Sequence, residues 1–504
     1  MTGALPGPGT AVLVAGGGVT GPAVARALLR LGATVTVADG KPQARAKIAA
    51  EVPGIVVADL DGHDPSGYDL VVVAPGFRPT APVVVAAEAA GVPVIGDVEL
   101  AWRIDRAGAF GAPRDWLVVT GTNGKTTTTQ MLESILVRAG LRAVACGNIG
   151  RPVIDAISDP ADPRVLAVEL SSFQLHWAPS VRPRAGVVLN VAEDHLDWHG
   201  SMAAYTADKA RALSGELAVI GLDDPVASGL GGAVTVGFTA GEPGPGQYGV
   251  RAGHLVDGAG LAILPAASVS PPGPAGIADA LAATALAQAV GVTAPQAGEA
   301  LAAFRVGAHR AEPVAQVRGV TYIDDSKATN PHAALNSIEA HERVVWVAGG
   351  QLKGADIAPL VQRVASRLVG AVLLGVDRDE IAGSLARHAP DVPVVRVSSG
   401  DDVHVSPVTN DASRSVGTSG AVDVRVSGDA DAVMAAVVAE ASRIAEAALN
   451  DSAAALSAAS GPLAALPAPV VLLAPAAASL DMFTSYGHRG DAFAASARAL
   501  GTAS

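Results

Sequence analysis

The stretch VVTGTNGKTTTTQML, residues 118–132, opens with two β-branched apolar residues and crosses two glycines three positions apart. It then runs through a lysine and a set of threonines into an apolar helical start. A strand that stops at Gly121, loops through Gly124 and enters a helix at Lys125 turns several backbone N–H groups toward one point. Phosphate is held in that way. The position five before Gly124 is Val119 and not glycine, so the loop is a short form of the Walker A pattern, G-T-N-G-K-T. In it Lys125 is placed to reach the β- and γ-phosphates, and the Thr126 hydroxyl to ligate Mg²⁺. The plainer alternative is a glycine-rich turn ahead of a threonine-capped helix.

A chain of 504 residues has room for two to four domains, each with its own core. Half the residues are hydrophobic but only 3% are aromatic, so those cores are expected to be built from Ala, Val and Leu. A net charge of −13 argues against general nucleic-acid binding, since nothing offsets phosphate repulsion. The single cysteine, Cys146, excludes an internal disulfide framework and fits a reducing compartment. The first residues, MTGALPGPGT, show neither a basic nor a long apolar segment, and no apolar run reaches membrane-spanning length. A soluble cytoplasmic protein without membrane insertion is the expectation. Arginine supplies 29 of the 35 basic residues, and the six lysines are Lys41, Lys47, Lys125, Lys209, Lys327 and Lys353. Where Arg is so readily used, a retained Lys marks a place where geometry or amine chemistry matters; Lys47 is the one read as chance.

Outward from the loop, the chain alternates short apolar runs with Ala-rich helical stretches, the pattern of α/β units with parallel sheets. AVLVAGGG, ATVTVAD, GIVVAD, YDLVVVAPG and VPVIGDVEL read as strands of a first unit. Gly16, Gly18 and Gly21 form a G-x-G-x-x-G turn, and Asp39 ends the next strand. That matches the dinucleotide fingerprint, with nicotinamide dinucleotide and another nucleotide group both open. WLVVTG, RAVACGNIG, VLAVELSS, AGVVLNV and ELAVIGL make a second unit, followed by a Gly/Pro-rich segment, about 240–276, expected to hold short antiparallel strands. GVTYIDDS, RVVWVAGG, GAVLLGV, VPVVRVS and PVVLLAPAAAS make a third. The stretches near 400–424 and 449–466 are rich in Ser, Ala, Gly and Asp and read as mobile insertions flanking one helix.

Three more stretches carry chemistry. VELSSFQL sets Glu169 at a strand end, suited to Mg²⁺, or to capping the next helix. LNVAEDHLDWHG packs Asn190, Glu193, Asp194, His195, Asp197 and His199 together, and Lys209 follows on a helix. Such a cluster alone is more often a polar loop; beside the other candidates it favours His195 as a metal ligand. DDSKATNPHAA, GGQLKGAD and APAAASLDMF place Asp325, Lys327, Thr329, Lys353 and Ser479 after three strands, where they can share one sheet edge.

Taken together and in this order, GTNGKTT, VELSSFQL, LNVAEDHLDWHG, YTADKA, His309-Arg310, DDSKATN, GGQLKGAD and APAAASLDMF resemble the Mur ligases of peptidoglycan precursor synthesis, over almost the whole chain. The resemblance implies three α/β domains. They are a Rossmann-like UDP-substrate domain over 1–103, a central ATP-binding domain with a mostly parallel sheet over 104–308, and a Rossmann-like amino-acid-binding domain over 309–504. It implies that the first glycine loop serves UDP and not NAD. It also implies ATP sites at Gly121, Thr122, Asn123, Gly124, Lys125, Thr126, Thr127, Asp279, Arg310 and Asp325. UDP-substrate contacts are implied at Gly18, Val19, Thr20, Asp39, Lys41, Gly76, Asn148, Ser171 and Gln174, and D-glutamate contacts at Lys327, Thr329, Lys353, Ser479, Leu480 and Tyr486. Lys125, Glu169, His195 and Lys209 are the implied catalytic set; Thr126, Glu169, His195 and Lys209, the last as a CO₂-derived carbamate, are the implied ligands of two Mg²⁺ sites that also suit Mn²⁺. The chain departs from the family pattern at Gly40 and Lys41, at Asp279 in place of an asparagine, and at Tyr486 where Phe is frequent.

The implied reaction is ATP-dependent amide formation. The alanyl carboxylate of UDP-N-acetylmuramoyl-L-alanine becomes an acyl phosphate, and the amine of D-glutamate displaces phosphate. The substrates are small molecules and the expected state is a monomer. A folylpolyglutamate-type ligase shares the loop and the lysine but not DDSKATN and SLDMF. A nucleotide sensor with a dead ATPase would lack the metal ligands, and a dehydrogenase would leave Lys125, Lys209 and Lys353 without use.

Overall fold

The computed structural model describes residues 5–399, 413–416, 421–458 and 467–502. Buried Val, Ala and Leu dominate the cores, with few aromatics among them. The described chain forms two compact units, residues 1–269 with 276–304, and residues 270–275 with 305–504.

The first unit contains two parallel sheets. The N-terminal one has five strands in the order Val56–Ala58, Thr34–Ala38, Ala11–Ala15, Leu70–Val73, Val94–Gly96. Its central strand pairs in parallel on both sides, with Val14 opposite Val37 and Val72. The helix Gly21–Leu31 starts with Pro22 in its first turn and stops at Gly32, whose φ of 89° suits glycine. Because strand order reverses between Thr34–Ala38 and Leu70–Val73, the crevice past Ala15 lies at a topological switch point, where α/β sheets bind ligands.

The second sheet has six parallel strands in the order Thr235–Phe238, Leu217–Gly221, Ala185–Val188, Asp115–Thr120, Val165–Glu169, Ala143–Gly147. Asp115–Thr120, which leads into the opening loop, therefore lies between the strands that lead to Glu169 and to Asn190. Its core residues Trp116, Leu117, Val118 and Val119 are buried, as a strand covered on both faces requires. The Gly/Pro-rich segment does form an antiparallel three-stranded sheet, Gly249–Arg251, His254–Val256 and Ala262–Pro265.

The second unit holds an eight-stranded sheet, ordered Glu312–Val317, Val320–Asp324, Val470–Leu473, Val344–Gly349, Leu368–Leu374, Val394–Ser399, Val422–Val426, Ser413–Val416. The outermost pair at each edge is antiparallel and the rest are parallel. The late strand Val470–Leu473 inserts between two early ones, so three strand ends far apart in sequence become neighbours.

Two readings of the sequence need adjustment. The boundary at 103/104 falls inside the helix Asp97–Arg106, where Arg103 pairs with Glu99 one turn back. The RIDR stretch there is the last turn of that helix, with Ile104 and Asp105 buried and Arg103 and Arg106 toward the surface. The insertion placed at 449–466 begins in a continuous helix, Ala430–Ala458. Its alanines favour helix once one side packs, as Val433, Met434, Val437, Val438 and Ala441 do against the sheet. Likewise 413–426 contains the two edge strands. Residues 400–412, 417–420 and 459–466 lie outside the described residues. Among the described residues no helix is long and apolar enough to cross a membrane.

Candidate active site

The strand Asp115–Thr120 ends at Gly121, and the helix Lys125–Arg138 begins after Gly124, whose φ is 82°. That angle is open to glycine and strained for other residues. A Cβ at Gly124 would also clash with Asp279 Oδ1. The loop is fixed from the neighbouring strand: the Asn123 amide donates to Asn190 Oδ1 at 2.9 Å, and Asn190 Nδ2 donates back to the Asn123 carbonyl at 3.2 Å. Thr122 Oγ1 accepts from the Ala192 amide at 2.9 Å and lies 3.1 Å from the Tyr205 hydroxyl. The Lys125 Nζ donates to the carbonyls of Gly121 and Thr122 at 3.0 and 2.9 Å. Thr126 is half-buried, whereas Thr127 is buried in the helix face. Asp279 is buried and accepts from the Thr128 hydroxyl at 2.8 Å, which ties it to the loop's helix.

Lys209 comes to the same point from 88 residues away. Its Nζ donates to the Gly121 carbonyl at 2.7 Å and lies 4.6 Å from the centre of the Tyr205 ring. The residue is only 2% exposed. Burial, and then the nearby Lys125 ammonium, hold the Lys209 amine well below the usual lysine range, against the pull of Asp194 and Glu169. Such a site favours the neutral amine over the ammonium.

On the other side, Glu169 is buried at its strand end. Its Oε1 accepts from Asn148 Nδ2 at 2.9 Å, and its Oε2 has no hydrogen-bond partner. His195 takes a left-handed backbone, φ 54°, an outlier of the kind that collects at functional sites. Partial burial lowers its imidazole pKa, Asp194 opposes that, and Lys125 and Lys209 reinforce it. Among the described residues no group of three or more His, Cys, Asp or Glu side chains forms a metal site. The candidate set contains two such residues, Glu169 and His195; Thr126 and Lys209 complete it through a hydroxyl and an amine.

The candidate UDP contacts divide between the two sheets of the first unit. Gly18, Val19 and Thr20 follow the strand Ala11–Ala15, with Val19 84% exposed. Asp39 Oδ2 accepts from the Gly17 amide and Oδ1 from the Lys41 amide, both at 2.8 Å, which shapes this turn. Gly76 lies past the strand Leu70–Val73, and its carbonyl accepts from Trp198 Nε1 at 3.3 Å. Ser171 and Gln174 form a capping box on the helix Ser172–His176, so a local task also accounts for both.

The second unit gathers its candidates at three neighbouring strand ends. Asp325, Lys327 and Thr329 follow Val320–Asp324; Lys353 follows Val344–Gly349; Ser479 and Leu480 follow Val470–Leu473. Lys353 has φ 55° and is exposed. The Lys327 ammonium lies 4.1 Å from the centre of the Tyr486 ring. Arg310 exerts a favourable charge on Asp325, whose carboxyl is pushed up to about 6 chiefly by desolvation. These residues belong to the other unit and form a group of their own.

Sequence reasoning missed Arg489. It is buried, and its guanidinium donates to Ser326 Oγ, to the Ser326 carbonyl at 2.9 Å, and to the carbonyls of Gly349 and Ala477 at 3.2 and 3.1 Å. One side chain thus ties all three strand ends together. Nothing local marks it. Tyr205 was also missed, although it sits four residues before Lys209, on the same helix face.

The comparisons with known proteins agree with this layout. Residues 10–96 match the Mur ligase MurD-like N-terminal domain, 119–238 the Mur ligase middle domain, and 309–424 the Mur ligase glutamate ligase domain. The chain is similar to the UDP-N-acetylmuramoylalanine--D-glutamate ligase of Mycolicibacterium smegmatis, 55% identical over 98% of this chain and 97% of that protein. It is 56% identical to the enzyme of that name from Rhodococcus jostii, over 96% of this chain and 94% of the other. Among solved structures, the UDP-N-acetylmuramate-alanine ligase of Thermotoga maritima shares the fold with a TM-score of 0.53 at 18% identity, covering 97% of this chain and 99% of that one. With family domains matched along its length and relatives above half identity from end to end, the chain belongs to the Mur ligase family.

Proposed function

We propose that this protein is an ATP-dependent ligase that joins D-glutamate to UDP-N-acetylmuramoyl-L-alanine in peptidoglycan precursor synthesis. The observation that carries the reading is the meeting of Lys125 and Lys209 on the Gly121 carbonyl, beside the buried Glu169. Phosphoryl transfer needs positive charge where the γ-phosphoryl oxygens gain charge, and Lys125 with the loop N–H groups supplies it. An oxygen of the alanyl carboxylate attacks the γ-phosphorus, and ADP leaves. The D-glutamate amine then attacks the acyl-phosphate carbonyl, loses a proton, and inorganic phosphate leaves.

The unpartnered Glu169 Oε2 fits a cation, because a buried carboxylate oxygen without a donor is otherwise costly. Thr126, Glu169, His195 and a carbamate on Lys209 are the groups that would hold Mg²⁺, or Mn²⁺. Bound there, the cation screens the repulsion between carboxylate and polyphosphate. The lowered amine pKa of Lys209 supports the carbamate, since only the neutral amine adds CO₂. Arg310 and Asp325 serve the nucleotide, and Lys327, Thr329, Lys353, Ser479, Leu480 and Tyr486 the D-glutamate. The domain limits proposed are one in the 107–114 segment, past the helix Asp97–Arg106, in place of 103/104, and one at 308/309. The protein acts as a cytoplasmic monomer on small-molecule substrates.

The test is phosphate release from ATP by the full chain, with and without UDP-N-acetylmuramoyl-L-alanine, across a panel of amino acids. Release that needs both the UDP substrate and D-glutamate is expected. A preference for L-lysine or meso-diaminopimelate would overturn the assignment.

A further inference from the structure

Lys209 is the last residue but one of a nine-residue helix, Met202–Ala210. Short helices are marginal alone, and their ends open first. The amine is also desolvated, which favours release of the side chain to water. The turn that follows, Arg211–Leu213, buries Ala212 and Leu213 and anchors the chain beyond the helix, but the Lys209 side needs a hold of its own against the phosphate loop.

The residue beside it carries the contacts. Asp208 is 5% exposed, and its Oδ2 receives His176 Nδ1 at 2.9 Å and His199 Nδ1 at 3.1 Å, while Oδ1 faces Arg211 Nη2 at 3.2 Å. A carboxylate only accepts, so both imidazoles carry their proton on Nδ1. The His199 side chain is fully buried, and that burial lowers its pKa against the pull of Asp208; with the proton on Nδ1, its Nε2 accepts from Ser172 Oγ at 2.9 Å. Its ring stacks on Phe173, 5.5 Å between centres and 10° from parallel. The Ser172–His199–Asp208 order is that of a nucleophile, base and orienting acid. Ser172 is only 2% exposed, however, so no substrate reaches its hydroxyl. The chain of bonds instead links the strand end that carries Glu169 and Ser171 to the helix end that carries Lys209.

We propose that Asp208 is a positioning residue for Lys209, acting through His199 and His176 to fix the helix end so that the amine stays at the Gly121 carbonyl. The inference rests on the ligase reading for its kinetic test, and on geometry alone for its labelling test.

Two isosteres of His199 separate hydrogen bonding from packing. In His199→Asn the amide nitrogen replaces Nδ1 and keeps the Asp208 bond; in His199→Gln it replaces Nε2 and loses that bond. Both lose the stacked ring. With the full chain, Asp208→Asn and His199→Gln should lower kcat on the order of 10–100-fold. The KM for D-glutamate, bound by the other unit, should stay within about threefold, and His199→Asn should keep kcat within about threefold. Reductive methylation read by mass spectrometry should find Lys209 protected in wild type relative to exposed Lys41. It should find Lys209 about tenfold more reactive in Asp208→Asn and His199→Gln but not in His199→Asn. Equal impairment of the two His199 variants would overturn the proposal, as would wild-type kcat and protection in Asp208→Asn. If Asp208→Asn does not fold, the His199 pair decides. If the wild-type protein ligates no D-glutamate, the functional reading fails while the methylation pattern still decides the positioning.

Discussion

The Gly121 end of the central sheet and the Ser479 end of the last sheet are both built from the C-terminal ends of neighbouring parallel strands, yet they are finished differently. In the first, the charged groups are inside: Glu169 and Lys209 are buried and bonded to backbone or to a neighbouring amide. In the second, Lys353 is exposed, Leu480 is 64% and Tyr486 38% exposed, and the rigid part is Arg489 behind them. Phosphoryl transfer gains from fixed charge in a dry site. Selection of an amino acid needs an open approach, with its backing held still. The contrast is between a site stiff in its reacting groups and one stiff only in its frame.

Lys209 bears the sharpest test of that contrast. Lys209→Ala should abolish ligation while ATP binding and the fold survive, and acetate should restore part of the rate by supplying the missing carboxylate. Steady-state assays with and without acetate check this. Full activity in Lys209→Arg would break the carbamate argument, since guanidinium does not add CO₂.

Arg489 tests the frame. Arg489→Met leaves the carbonyls of Ser326, Gly349 and Ala477 without this donor, each a loss of about 1–3 kcal/mol. Chemical denaturation should show the loss, and the KM for D-glutamate should rise, although Arg489 is buried behind the candidate contacts. Binding of an ATP analogue to the first unit should be unchanged; a matching loss there would erase the distinction between the two regions.

Lys353→Ala should have a milder effect. An exposed cation that hydrogen-bonds a carboxylate contributes about 1.5–3 kcal/mol, so the KM for D-glutamate should rise roughly 10- to 100-fold with ATP little affected. An equal rise in both KM values would show that Lys353 does not belong to the amino-acid site.

The smallest effect concerns stability alone. Asp97, in the first unit and outside both sites, is buried with Oδ1 unpartnered, and burial pushes its carboxyl up to about 6 from 3.8. The folded state thus binds this proton more tightly than the unfolded state. Its stabilising contribution is complete below the unfolded value and is lost as pH rises through the folded one. Asp97→Asn should therefore raise stability by up to about 3 kcal/mol at pH 8 and by little at pH 4, with kcat unchanged. Thermal melts at the two pH values measure it; the opposite pH order would refute the burial argument.

Most of the fold was legible in the chain. The α/β alternation, the three-stranded antiparallel segment and the glycine turn at 121–124 depend on period and on residues close in sequence, which local patterns report. The misplaced limits at 103/104 and 449 arose where composition was read as linker, while packing made helix. Of the site, the motifs after each strand were readable, because a strand end in a parallel sheet is a predictable place for a ligand group.

What the sequence alone offered was therefore the set of candidate groups and the element that carries each: Lys125 where the loop enters its helix, Glu169 at the end of its strand, Lys353 past its strand, Lys209 on its helix. Tertiary structure decided which of them meet. Lys209 reaches Gly121 only because its helix packs on the helix Ser172–His176, and Asp208 becomes a clamp only because His176 and His199 close on it from two other segments. Arg489 acquires its role only when the late strand Val470–Leu473 inserts between two earlier ones. The physical reason is that burial and hydrogen bonding depend on which strands and helices become neighbours. That adjacency is fixed by the packing of whole sheets, over separations that no local pattern spans.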